Sequence, residues 1–174
     1  MMPALNAQWT GAFAITAAAC WFDVRTRRIP NALTFPAAAL GLVAASVAPG
    51  GPGVSASVAG LVVGLALFFP LFLLKGLGAG DVKLMGALGA WLGASVIFGV
   101  AFYTSLAGGI LALVLIAKHR YGRQAVRNLL LLLTHWRVFG LRPLDALTLE
   151  TSAGPKLPYA LPIAAGVVLT RCLW

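Results

Sequence analysis

The chain has 174 residues, 60% apolar and 10% charged, with 13 Lys or Arg against 4 Asp or Glu, and its mean hydropathy is +0.93. A soluble domain carries about 25% charged residues, disorder needs low hydrophobicity, and two cysteines make no disulfide framework. Those classes are excluded, and so apolar a chain is not expected to bind nucleic acid despite a pI of 10.6.

What is left is an all-α membrane bundle, read as a single domain over residues 1–174. A helix needs about 20 apolar residues to cross a hydrocarbon core of about 30 Å. Residues 1–22 carry no charge and form a first span. They lack the basic start of a signal peptide, so the span is expected to be retained. The uncharged stretch 29–74 holds two more, about 32–48 and 56–74, separated by Pro49-Gly50-Gly51-Pro52-Gly53. Residues 84–117 are also uncharged. One straight helix of that length would be roughly 51 Å long, so two spans are expected, with a turn near Gly93-Ala94-Ser95. Between residues 118 and 156, Arg120, Arg123 and Arg127 share one helical face, and the apolar stretch 128–136 is too short to span. This predicts a basic amphipathic helix lying in the interface and drawn to anionic headgroups. Residues 157–174 make the sixth span.

With both termini outside, every Lys and Arg except Arg171 falls in the inner loops 23–31, 75–83 and 118–156, as the positive-inside rule requires. The pairs Gly60/Gly64 and Gly89/Gly93 predict close helix–helix contacts. Trp9, Trp21 and Trp174 suit interface anchors.

Of the four acids, Asp145 and Glu150 fall in the long inner loop and read as solvated charges. Asp23 and Asp81 fall at the inner edges of spans 1 and 4, at one depth. An ionisable group at the hydrocarbon edge is a functional candidate. Each also has a structural alternative. Asp81 could cap its helix, and Asp23 could pair with Arg25 or Arg27. Together they make a carboxylate pair able to share one proton. One would act as base on a water while the other, protonated, polarises a carbonyl. That is aspartyl protease chemistry, and it needs neither metal nor cofactor. Gly78 and Gly80 keep the backbone beside Asp81 open to a peptide, and Pro30 sets a stiff turn into span 2. His119 and His135 have no matching partners, so no metal site is expected.

Three stretches carry a resemblance: Asp23 with Ile29-Pro30-Asn31, Gly78-Ala79-Gly80-Asp81-Val82-Lys83, and Pro158-Tyr159-Ala160-Leu161-Pro162. In this order they resemble the type IV prepilin peptidases, membrane aspartyl proteases of the GxGD class. The resemblance implies that Asp23 and Asp81 are catalytic and that Gly78 and Gly80 position Asp81. Lys83 matches the motif, either drawing a neighbouring carboxylate toward its charged form or anchoring span 4 to headgroups. It further implies cleavage of the short basic leader of pilin-like precursors, after a glycine, at the cytoplasmic face of a bacterial inner membrane. Longer members carry paired Cys-x-x-Cys motifs in an inner N-terminal domain and methylate the new N-terminus. Here Cys20 and Cys172 are the only cysteines, so peptidase activity without methyl transfer is expected, as in the short peptidases of Flp or tight-adherence pili. The alternatives are a transport subunit with the two Asp as ion sites, or a structural subunit with them as helix caps.

Overall fold

Each uncharged stretch folds as helix, and the breaks fall at the glycines and prolines. A computed structural model describes residues 7–47, 52–118, 122–140 and 158–173. Among these the chain forms seven helices and no strand: α1 (Ala7–Thr26), α2 (Asn31–Val47), α3 (Val54–Leu73), α4 (Ala79–Leu92), α5 (Ala94–Lys118), α6 (Gly122–Phe139) and α7 (Ala160–Leu173). Two of them, α3 and α5, are long and apolar enough to cross a membrane, while α2 and α7 are shorter apolar helices. The amphipathic helix predicted within 118–156 is α6. Arg120 and His119 lie outside the described residues, as do Asp145, Glu150 and Trp174.

One boundary differs from the sequence expectation and one agrees with it, each for a local reason. Helix α1 does not stop at its first charge. The Asp23 carbonyl still accepts the Arg27 N–H at 2.9 Å, so Asp23 sits on the last turn of the helix, and Arg27 ends it with a φ of 54°. The run 84–117 breaks at Gly93, where the turn is expected, and because this is its tenth position the helices are unequal: α4 has 14 residues and α5 has 25. Gly93 adopts a φ of +82°, which an L side chain rarely tolerates. Its carbonyl accepts the Ile97 N–H at 3.2 Å, so α5 begins at once.

The core is built around α4, which packs against α1, α2, α3 and α5. Every residue from Leu84 to Ala90 is buried. Small residues make this possible. A methyl group at Gly60 of α3 would strike the Gly89 carbonyl of α4, and one at Gly89 would strike that of Gly60. Gly64 meets Met85 in the same way. The predicted glycine pairs thus lie where two helix backbones touch. The Ser57 hydroxyl donates to the Ala90 carbonyl across this contact. On the other side, Trp91 lays its ring over Gly11 and Gly41 and donates its indole N–H to the Ala37 carbonyl at 2.8 Å. Helix α7 packs on α5 and α1.

Large apolar side chains cover the outside, among them Phe35, Val62, Phe98, Phe102 and Leu113. In water this surface would drive association, whereas in lipid it is the expected exterior. Helix α6 meets the bundle at α5.

Candidate active site

Asp23 and Asp81 come from elements far apart in the chain, and packing brings both to one end of the bundle. Asp23 is 8% exposed and Asp81 9%. They line a single cavity of about 360 Å³ together with Gly78, Gly80, Lys83 and Asn31, with Arg27 and Arg28 at the end of α1.

Asp23 is held by the start of α7. The backbone N–H of Ala160 donates to its Oδ2 at 3.2 Å. First-turn N–H groups of a helix have no partner within it, and the helix N-terminus favours a negative group. Ala160 is fully buried, and its carbonyl accepts the Cys20 thiol at 3.2 Å. Helices α1 and α7 are therefore joined at both polar groups of one residue. Arg25 instead stacks over the Trp21 ring, 4.0 Å from its centre.

Asp81 is the third residue of α4, and Gly78 is the N-cap, with φ −75° and ψ 147°. Asp81 is thus not itself the cap, contrary to the simplest structural alternative. Its carboxylate turns back over Gly78, the direction the third helical residue takes in a capping box. The two glycines of the motif have separate jobs. A methyl group on Gly78 would lie 2.9 Å from Asp81 Oδ2 and would push the carboxylate aside. A methyl group on Gly80 would lie 2.9 Å from Ile29 Cβ and 3.2 Å from the Ile29 carbonyl oxygen. Gly80 therefore lets α4 begin against the turn that leads into α2. Both glycines make room inside the protein.

Lys83 closes the same junction one turn later. Its Nζ donates to Asn31 Oδ1 at 2.8 Å and lies 5.1 Å from the centre of the Phe35 ring. The segments Ile29-Pro30-Asn31 and Gly78 to Lys83 are thus two halves of one clasp. Asn31 and Ala160 were not singled out as site residues from the sequence, although both lie in stretches that carry the resemblance. The signal for Ala160 was the proline-flanked helix start, which marks where free N–H groups fall. Tyr159 packs on the core, within electrostatic reach of Asp81. His135 lies on α6 and is not among the residues that line the cavity.

The profile of the type IV leader peptidase family matches residues 11–113, a stretch that holds Asp23, the clasp and Asp81. The chain belongs to the type IV leader peptidase family. Among its relatives is the prepilin leader peptidase/N-methyltransferase of Neisseria gonorrhoeae, 36% identical over 109 residues, which cover 58% of this chain and 38% of that protein. The proteins of the same name from Aeromonas salmonicida strain A449 and Dickeya chrysanthemi are 32% identical over 117 residues and 34% over 118. These matches cover 63% and 64% of this chain, and 40% and 42% of the relatives. The chain therefore spans about two fifths of the length of these family members. No solved structure matches the chain.

Proposed function

We propose that the chain is a membrane aspartyl endopeptidase that removes the leader of pilin-like precursors, with Asp23 and Asp81 as its catalytic pair. The observation that carries this reading is the cavity that the two carboxylates share. The family supplies the substrate class, and the methyl transfer in the relatives' names is not carried over. With one proton between the two acids, the ionised carboxylate takes a proton from water as the water oxygen attacks the scissile carbonyl carbon. The protonated carboxylic acid gives its proton to the carbonyl oxygen. When the tetrahedral diol collapses, the C–N bond breaks and the acid that now holds the proton gives it to the leaving amine. The other carboxylate takes the proton of the diol hydroxyl that becomes the new carbonyl, so the pair again shares one proton. Gly78, Gly80 and Lys83 serve as positioning residues through the contacts described above.

In the same reading α1 to α5 and α7 are six membrane spans, both termini lie outside, and α6 rests on anionic headgroups. Asp23 meets the start of α7, and α4 begins against the turn into α2. Arg25, Arg27, Arg28 and Lys83 lie at this end, which by the positive-inside rule faces the cytoplasm. The setting is a bacterial inner membrane.

Cleavage of a pilin-like precursor in membranes tests this. Asp23→Asn and Asp81→Asn should each abolish cleavage in protein that still inserts. Near-wild-type cleavage by either variant overturns the pair. Orientation is tested separately with Pro52→Cys in a chain lacking Cys20 and Cys172. Its thiol should react with an impermeant reagent only from the outside.

A further inference from the structure

A second pocket lies on the other side of Lys83, which lines both it and the acid cavity. It has a volume of about 140 Å³, sits between α2, α3 and α4, and is walled by Phe35, Ala38, Leu61, Leu65 and Ala87. Among these apolar groups stands Thr34. Its side chain is 1% exposed and its Oγ1 has no hydrogen-bond partner. Buried hydroxyls are normally paired, and helical threonines usually bond back to the carbonyl four residues earlier. Thr16, Thr26, Thr134 and Thr170 all do so. For Thr34 that carbonyl is Pro30, which already accepts the N–H groups of Leu33 and Thr34. The fold thus leaves one hydroxyl unsatisfied at an apolar pocket that shares Lys83 with the acid cavity.

Resting on the peptidase reading, we propose that this pocket is a specificity subsite. It takes one apolar side chain of the precursor from the stretch that runs from the scissile bond toward the membrane core, and the Thr34 hydroxyl bonds a peptide group of that stretch. From Asp81 to Gly86 and Ala87 the helix advances about 8 Å. An extended peptide advances about 3.3 Å per residue. The side chain that fills the pocket therefore belongs to the second or third residue beyond the cleaved bond.

The test measures kcat and KM of the full chain in detergent on precursors with Leu or Ala at that position. The wild type should prefer Leu by about tenfold in kcat/KM, expressed in KM, which is the scale of a few methylenes in an apolar pocket. Ala38→Leu, which fills the pocket, should abolish the preference. Thr34→Val keeps the shape and removes the orphan hydroxyl. It should raise the melting temperature, because an unpaired buried group is lost, and raise KM about fivefold for both precursors. This variant carries the test if Ala38→Leu does not fold. A preference that survives pocket filling, no preference in the wild type, or an unchanged KM in Thr34→Val overturns the subsite. A lipid chain seated in the pocket would give the second of these results. A wild type that cleaves neither precursor counts instead against the peptidase reading.

Discussion

Helices α4 and α6 differ little in length, 14 residues against 18, and have opposite surroundings. Helix α4 is buried from Leu84 to Ala90, and no described side chain of α6 is buried. Leucine content does not explain this, since α6 carries five leucines in a row, Leu129 to Leu133. Size and the placement of charge do. Gly86, Ala87, Gly89 and Ala90 let neighbouring backbones touch α4, and its two charges, Asp81 and Lys83, sit near its start. Helix α6 spreads Arg123, Arg127 and Arg137 along its length, so part of its surface must stay in water or among headgroups. The candidate chemistry sits at the start of the helix that is held most closely, where position is best defined.

The comparison can be broken most severely at the acid. Asp81→Asn should lower kcat for precursor cleavage by about a thousandfold or more. Replacing Arg123 and Arg127 by Gln should leave it within about threefold. Comparable losses from both would mean that α6 belongs to the machinery.

Packing comes next. Gly89→Leu drives a side chain into the Gly60 backbone and should cost about 3 kcal/mol, whereas Leu129→Ala on α6 should cost within about 0.5 kcal/mol. Thermal unfolding in detergent checks both. A smaller effect is expected at the clasp. Lys83→Met removes the bond to Asn31, and a double-mutant cycle with Asn31→Ala should give a coupling of about 1 kcal/mol. A coupling near zero would show that the two segments are held by Gly80 and Ile29 alone.

The smallest effect concerns where α6 lies. A fluorophore on Leu129→Cys should be quenched by quenchers in the lipid tails, and one on Arg123→Cys should not. Each arginine should add about 1 kcal/mol to the attraction for anionic vesicles. Equal quenching at the two positions would remove α6 from the interface.

Much of the helical architecture is legible in the sequence because its signals are local. A charge-free run of sufficient length is a helix in waiting, and Gly93 and Pro30 mark breaks through their own backbone geometry. The cavity is legible only in part. Asp23 and Asp81 stand out because acids are so scarce, and helix alternation brings them to one end of the bundle. The break in 84–117 is legible at Gly93, and the unequal lengths of 14 and 25 residues follow from where that glycine falls and from how far each helix runs past the uncharged stretch.

The sequence alone determined that this chain is helical, where its apolar segments break, and which two acids are worth attention. Tertiary structure decided what holds those acids. Asp23 is held by the N–H of Ala160, Gly78 clears space for the Asp81 carboxylate, Gly80 admits Ile29, and Lys83 reaches Asn31. Each of these depends on how closely two distant backbones approach. That distance is set by the small residues packed between α3 and α4 and around them, and no local pattern contains it.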